Sequence, residues 1–171
     1  MRTRKAILPD APDIHRMISQ YTNDGTLLPR TLQEICENVR DFIVVEDRGR
    51  VIACAALHFY GLSLAEVRSV TVDQSVQGRS VGRTLVEGLI KEAENHQIDR
   101  VFLFTRVPEF FAKLGFVTVP HHILPEKVHK DCVGCPRREN CDEIAMVLGE
   151  QEAEYAIASH QENPLRVLNA Q

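Results

Sequence analysis

The chain has 171 residues, of which 44% are hydrophobic and 26% charged, and its formal net charge at pH 7 is −4. This length suits one domain with a proper core, and the composition is ordinary for a globular protein. No apolar run approaches the roughly 20 residues that span a bilayer, and no long apolar stretch follows the basic residues 1–5, so neither a membrane span nor a secretory signal is expected. The acidic balance also disfavours nucleic acid as a partner.

The cysteines point to a reducing compartment. Their number, five, is odd, and Cys36 and Cys54 lie in apolar segments typical of buried core thiols. Nothing in this spacing indicates a disulfide-stapled secreted domain. We therefore expect a cytoplasmic protein with no membrane partner.

The beginning of the chain predicts one short strand and two helices. Residues 4–8 have the strand pattern, and apolar residues recur at helical spacing over 14–21. A second helix begins at Thr31, whose hydroxyl can cap the helix while Glu34 reaches back to the Thr31 backbone, an arrangement known as a capping box.

Three strands are predicted next. Apolar runs at 42–46 and 51–57 flank a Gly-containing turn at 47–50 and predict a hairpin. Valines at alternating positions extend the pattern to a further strand over 65–72. This strand leads into a polar loop that carries glycines.

Helices and strands alternate in the rest of the chain, around a His- and Cys-rich insert. Helices are predicted over 81–96, over 108–114 with Gly115 as C-cap, and over 150–160 before a loose tail. Strands are predicted over 101–104, 116–119 and 144–148. The order β-α-α-β-β-β-α-β-α-β-β is a mixed α/β pattern, which differs from the regular alternation of a doubly wound sheet.

The loop between residues 72 and 83 has the features of a phosphate site. A Gly-bearing loop that enters a helix presents unpaired N–H groups and the positive end of the helix dipole. Gly78 and Gly82 allow close backbone approach, and Arg79 and Arg83 add positive charge. The alternative is an ordinary strand-to-helix turn with solvated arginines.

This loop resembles the coenzyme A loop of the GNAT acetyltransferases, whose pattern is Arg/Gln-x-x-Gly-x-Gly/Ala. Gln77 fills the first position and Gly82 the last, while Ser80 stands where the middle glycine usually lies. Residues 107–116 resemble the family's later signature, an aromatic helix that ends in Leu-Gly-Phe. The resemblance implies an α/β GNAT fold with a mixed, mostly antiparallel sheet flanked by helices, and acetyl-coenzyme A as co-substrate. It implies these coenzyme-binding residues: Val70, Thr71, Val72, Gln77, Gly78, Arg79, Ser80, Val81, Gly82 and Arg83.

A closer similarity is to amino-acid N-acetyltransferases of the N-acetylglutamate synthase type. It covers most of the chain and is carried by residues 27–30, 54–57, 65–70, 103–106 and 124–125. The chain lacks the amino-acid-kinase domain of the long synthases, so the resemblance implies a short, stand-alone form that acetylates glutamate in arginine biosynthesis. We expect one GNAT domain over residues 1–149, with the insert at 121–143, followed by a helix and tail over 150–171.

Acetyl transfer needs a neutral acceptor amine, so a general base must remove a proton, directly or through water. The resemblance places Glu66 at the base position; the alternative is a solvated carboxylate at a strand end. It also points to the backbone at Val70 for the oxyanion and at Val72 for pairing with the pantetheine arm. His58 and Tyr60 could flank the acceptor.

No proton donor for the leaving thiolate is identified. Many GNAT enzymes have a Tyr near the aromatic helix, where this chain has Phe110 and Phe111. The synthase-type enzymes can have a Ser at the position of Val107. Water, or direct loss of the thiolate, remains open.

The substrate-binding residues are predicted from charge. A carboxylate acceptor is best held by a bidentate guanidinium. Arg30 and Arg106 match arginines of the synthase-type pattern and are the first candidates, with Arg68 and Lys127 as weaker ones. The alternative for each is a solvated surface cation.

The insert predicts a structural zinc site. Cys132 and Cys135 have the spacing with which two thiolates share one metal, and Cys141 and His129 would complete a Cys₃His set. A reduced cysteine cluster or a labile redox pair is the alternative.

Two other functions remain open at this stage. One is acetylation of a different amine: another amino acid, a polyamine, a drug or a protein N-terminus. The other is a non-catalytic acetyl-coenzyme A sensor with the cysteine insert as a metal or redox switch. The expected partners are small molecules, and a homodimer is left open because exposed sheet edges often pair.

Overall fold

The computed structural model describes residues 1–22, 25–135 and 137–162. The chain divides into two compact units, of which the first is Met1–Asp99 and the second begins at Arg100. The tail predicted after the terminal helix, residues 163–171, lies outside the described residues.

The described residues of the first unit form four strands and three helices. The strands β1 (Arg2–Lys5), β2 (Phe42–Asp47), β3 (Arg50–Phe59) and β4 (Leu64–Val72) pair in chain order, and every pair is antiparallel. The helices are α1 (Ala11–Ser19), α2 (Leu32–Glu37) and α3 (Val81–Asn95). The predicted capping box of α2 is present, since Thr31 Oγ1 accepts from the Glu34 N–H and Glu34 accepts from the Thr31 N–H.

Helices cover both faces of this sheet. Ile14, Met17 and Ile18 of α1 pack in one cluster with Val44 and Cys54. On the other face α3 approaches β2 so closely that a Cβ at its Gly88 would lie 3.2 Å from Ile43 Cδ1. Because both faces are buried, β2 and β3 read in the sequence as continuous apolar runs rather than as alternating ones.

A β-bulge interrupts the pairing of β3 with β4. Cys54 pairs with Thr71 whereas Ala56 pairs with Arg68, so β4 carries one extra residue in between. Ser69 lies in this bulge with a φ of 54°, which few non-glycine residues adopt. The predicted strand is therefore present, but its local irregularity was not predicted.

Three strands and three helices are found where the structure describes the second unit. The strands β5 (Arg100–Thr105), β6 (Phe116–Val119) and β7 (Ile144–Leu148) pair in the order β5-β7-β6, and both pairs are antiparallel. The helices are α4 (Pro108–Ala112), the very short α5 (Pro125–Lys127) and α6 (Glu150–Glu162). Short turns, among them a π-helical turn at Val128–Cys132, make up the insert between β6 and β7.

The predicted order of helices and strands is confirmed, with shifts at the ends. β1 lies at Arg2–Lys5 rather than 4–8, and β3 continues to Phe59, beyond the predicted end at residue 57. In the described part of the chain, no helix combines the length and the apolar character needed to cross a bilayer.

Candidate active site

The loop after β4 presents the N-terminus of α3. Asp73 Oδ1 accepts from the Ser75 N–H at 3.0 Å and from the Ser75 hydroxyl at 2.7 Å, which closes the first turn. Gly78 and Ser80 then adopt φ values of 79° and 61°. Among the described contacts the Ser80 side chain does not cap α3, and the first turn of α3 has no acidic residue. The positive end of the helix dipole is therefore available to an anion.

Tyr21 fastens this loop to the end of α1. Its hydroxyl donates to the Val72 carbonyl oxygen at 3.0 Å and accepts from Gln77 Nε2 at 3.1 Å. Gln77, the first residue of the predicted motif, thus helps to fix the loop. Tyr21 was not predicted, because it lies 51 residues before Val72 in the chain.

The main chain of β4 is regular again after the bulge. The Asp73 N–H donates to the Ile52 carbonyl oxygen of the neighbouring strand β3. Since successive residues of a strand alternate in the direction of their N–H and C=O groups, the main-chain groups of Val72 point to the edge of β4 away from β3.

Glu66 is a buried carboxylate on β4. Only 2% of the residue is exposed, so the alternative of a solvated strand-end carboxylate is wrong. Tyr60 donates its hydroxyl hydrogen to Glu66 Oε2 at 3.0 Å, and Arg68 Nη1 lies 4.0 Å from the same oxygen. The structure thus brings together the predicted base and one of the predicted cations.

The positive charges of Arg30 and Arg68 both lower the pKa of the same carboxyl, that of Glu34. The pKa of Glu34 is lowered first by the hydrogen bond that its carboxylate accepts from the Thr31 backbone, and further by the positive charges of Arg30 and Arg68. Two of the four predicted substrate-binding cations therefore act on one carboxylate of α2.

The other two predicted cations, in the second unit, have internal partners. Arg106 Nε donates to Asp142 Oδ1 at 2.8 Å, and Arg137 Nη1 donates to the other oxygen of Asp142. Lys127 is 6% exposed; its Nζ donates to Asp131 at 2.7 Å and lies 5.9 Å from the centroid of the Phe104 ring. A substrate carboxylate would have to compete with Asp142 or Asp131 for these cations.

Comparison with known proteins identifies the family. The model of the acetyltransferase (GNAT) family matches residues 11–116. A protein of Chlorobaculum tepidum named as an uncharacterized N-acetyltransferase is 38% identical over 144 residues, which are 84% of this chain and 93% of that protein. The chain belongs to the GNAT family of acetyltransferases.

Two further relatives of this GNAT enzyme have more specific names. An amino-acid acetyltransferase of Mycobacterium tuberculosis is 35% identical over 119 residues, which are 68% of each chain. The structure of N-acetylglutamate synthase from Neisseria gonorrhoeae, complexed with coenzyme A and N-acetyl-glutamate, has a TM-score of 0.77 and 28% identity. The match covers 86% of this chain and 34% of the synthase chain, so the GNAT enzyme spans about a third of that protein. The predicted GNAT fold and acetyl-coenzyme A as co-substrate are confirmed.

The described part of the cysteine insert of this GNAT enzyme does not show the predicted zinc ligands brought together. Among the described residues, no group of three or more His, Cys, Asp or Glu side chains is arranged to hold a metal ion. His129 Nδ1 instead contacts the Pro125 carbonyl oxygen at 2.8 Å, one helical turn away. Burial raises the pKa of the Cys132 thiol.

Three polar residues beside Glu66 had no predicted role or only a flanking one. Tyr60 donates to Glu66, His58 pairs with Glu66 across β3 and β4, and Asp41 Oδ2 lies 2.9 Å from His58 Nδ1. No alternation in the sequence indicated this group, because β3 reads as a continuous apolar run. The strand was predicted to end at residue 57, so the pairing of His58 with Glu66 was not considered.

Proposed function

We propose that this GNAT enzyme transfers the acetyl group of acetyl-coenzyme A to the α-amine of an amino acid, with glutamate as the acceptor. The observation that carries the proposal is a buried carboxylate, Glu66, on the strand that leads into the anion-binding turn before α3. The names of the Mycobacterium and Neisseria relatives support an amino-acid acceptor.

In this proposal the loop holds the diphosphate of the coenzyme. The N–H groups of residues 78–83 at the start of α3 face the phosphates, and Arg79 and Arg83 add charge. Tyr21 already donates to the Val72 carbonyl oxygen. We therefore assign pairing with the pantetheine arm to the Val72 N–H, and Val70 and Thr71 complete this segment.

Glu66 acts as the general base. It takes a proton from the acceptor ammonium, directly or through one water, and the neutral amine then attacks the thioester carbonyl. The N–H of Val70, next to Ser69 in the bulge, stabilises the negative oxygen of the tetrahedral intermediate. The carbon–sulfur bond then breaks, the thiolate leaves, and the amide nitrogen releases its second proton to water. Helix α4 carries two Phe rings and no hydroxyl, so none of its side chains is assigned as proton donor.

The acceptor carboxylates are assigned to arginines. Arg30 and Arg106 are the proposed partners, because a guanidinium holds a carboxylate by two parallel hydrogen bonds. Arg68 lies beside Glu66 and would favour a negatively charged acceptor near the base. Lys127 is the weakest candidate, since Asp131 already neutralises it.

The test is a thiol-release assay with acetyl-coenzyme A and a panel of amines that includes glutamate, glutamine, other amino acids and a polyamine. We expect the highest kcat/KM with glutamate. Glu66→Gln should lower kcat at least ~100-fold and leave the affinity for coenzyme A unchanged, because the loop is intact. Glu37→Gln, an exposed carboxylate of α2, is the matched control and should keep the wild-type rate.

Other outcomes would change the assignment. A preference for a polyamine would contradict the arginine-based choice of acceptor. If no amine in the panel causes thiol release, although acetyl-coenzyme A binds tightly, a non-catalytic sensor function would replace the proposed catalysis. Wild-type turnover in Glu66→Gln would remove Glu66 from the mechanism.

A further inference from the structure

One face of the β3–β4 hairpin carries a group of polar side chains that the acetyl-transfer scheme does not use. His58 pairs with Glu66 across the two strands, and the Tyr60 N–H donates to the Leu64 carbonyl oxygen where the hairpin closes. Because side chains two residues apart share a face of a sheet, His58 and Tyr60 project together beside Glu66. Phe59, between them, instead contacts the His96 ring at the end of α3.

The contacts in this group run in sequence from one carboxylate to another. Asp41 Oδ2 lies 2.9 Å from His58 Nδ1. The His58 and Tyr60 rings meet edge to face, with centroids 5.2 Å apart and an interplanar angle of 87°. The Tyr60 hydroxyl then donates to Glu66 Oε2 at 3.0 Å.

Burial makes the hydrogen bond from Tyr60 important for Glu66. A carboxylate that is 2% exposed has lost nearly all contact with bulk water and needs donors from the protein. The Tyr60 hydroxyl is within hydrogen-bond distance of Glu66 Oε2, and Arg68 Nη1 lies 4.0 Å from the same oxygen. Tyrosine also has few rotatable bonds, so a ring held on one side fixes its hydroxyl in space.

We propose that Tyr60 is a positioning residue for Glu66, and that His58, held by Asp41, fixes the Tyr60 ring. This proposal rests on the proposed role of Glu66 as the general base. Tyr60 orients the carboxylate so that one oxygen faces the amine, while Asp41 and His58 act only through Tyr60. A base that is free to rotate would spend part of its time turned away from the amine, and kcat would fall.

The decisive test is a double-mutant cycle of Tyr60→Phe and Glu66→Gln. Tyr60→Phe removes only the hydroxyl and keeps the ring, and it should lower kcat for the best acceptor about tenfold, the usual order for a hydrogen bond to a charged group. The KM for acetyl-coenzyme A should not change. In the Glu66→Gln background the same substitution should have almost no effect on kcat, because there is no base left to position.

The roles of His58 and Asp41 are tested by single substitutions, with His96 as the matched control for His58. His58→Gln and Asp41→Asn should each lower kcat by a smaller factor than Tyr60→Phe, about threefold, since they act through one more contact. His96→Gln is the control, because His96 makes a comparable ring contact with Phe59, with centroids 5.1 Å apart, and should leave kcat unchanged. Thermal unfolding and affinity for acetyl-coenzyme A show that each variant is folded.

The outcomes separate this proposal from the proposed function. If Glu66→Gln loses activity while Tyr60→Phe keeps it, the positioning role is wrong and the base stands. If the two losses multiply fully in the double mutant, Tyr60 acts independently of Glu66 and the proposal is also wrong. Wild-type turnover in Glu66→Gln would overturn both the base role of Glu66 and the positioning role of Tyr60. An enzyme that is active with an acceptor other than glutamate would overturn only the choice of glutamate.

Discussion

At the scale of single residues, location decides what an ionisable group of this chain can do. The Cys54 thiol is fully buried, and burial raises its pKa to about 12 despite a contact with the Thr71 hydroxyl. It is therefore a core thiol, as predicted, and not a nucleophile. Asp142 lies at the surface, and the hydrogen bond from Arg106 lowers the pKa of its carboxyl. Arg106 thus already holds a carboxylate, which is the task we propose for it with the substrate.

We predict that Arg106→Ala raises the KM for glutamate at least about tenfold, because it removes a charge-assisted hydrogen-bond donor. The KM for acetyl-coenzyme A should stay the same. Steady-state kinetics with both substrates measure the two constants. Arg137→Ala is the matched control, since Arg137 donates to the same Asp142 but has no proposed contact with substrate. An unchanged KM for glutamate in Arg106→Ala would show that the assignment is wrong.

At the scale of elements, three junctions shape the first unit. The bulge at Ser69 interrupts the pairing of β4 with β3, and the turn before α3 presents the helix terminus. A third junction joins β1 to α1, where Arg4 donates two hydrogen bonds to the buried Asp10 carboxylate at 2.6 and 2.9 Å and the Ile7 N–H donates a third. This network anchors α1 and therefore supports the Tyr21 contact at its far end.

The Asp10 network predicts a pH-dependent loss of stability. The hydrogen bonds from Arg4, and secondly that from the Ile7 backbone, hold the pKa of Asp10 below its ordinary value. A carboxyl whose pKa is lowered by folding stabilises the native state above its unfolded pKa, and this contribution is lost as the pH falls through the folded one. We expect Asp10→Asn to lower the free energy of unfolding by about 1–3 kcal/mol at pH 7. The difference from wild type should shrink below about pH 4.

Urea unfolding at a series of pH values measures this difference. Asp13→Asn is the control, because Asp13 pairs with Arg16 on the exposed side of α1. Such surface pairs contribute at most about 1 kcal/mol. A destabilisation by Asp10→Asn that stays constant down to pH 3 would contradict the ionic origin of the effect.

At the scale of the whole molecule, the GNAT fold implies that acetyl-coenzyme A stabilises the native chain. A ligand that binds only the native state at one hundred times its Kd adds about 2.7 kcal/mol. For a chain of this length that corresponds to a rise of roughly 5–10 °C in Tm. Thermal unfolding with and without acetyl-coenzyme A measures the shift. Absence of a shift, together with no heat in a calorimetric titration, would contradict the whole functional assignment.

Two glycine variants make this test specific to the loop. Gly78 has a φ of 79°, and a Cβ there would meet no atom within 4 Å, so Gly78→Ala strains only the backbone. We expect a smaller Tm shift with acetyl-coenzyme A in this variant. Gly134→Ala is the control, because Gly134 also has open space around it but does not have a positive φ.

Most of the fold and the coenzyme loop could be predicted from the sequence, whereas much of the polar site could not. The apolar face of α3, from Val81 to Ala93, is buried as its spacing predicts. The loop is recognisable because its two glycines and two arginines lie within the six residues 78–83. Glu66 was identified by resemblance, but its burial and its hydrogen bond from Tyr60 depend on the register of β3 with β4.

The order of elements, their buried faces and the position of the coenzyme loop follow from the sequence, because these features depend on residues within one or two turns of each other. The partners of the polar groups depend on the tertiary structure: Tyr21 with Val72 across 51 residues, Arg106 with Asp142 across 36, and His58 with Asp41 across 17. It also showed that the cysteine insert does not assemble the predicted metal ligands among the described residues. Such partners are set by strand register, bulges and loop paths, which side-chain spacing along the chain does not encode.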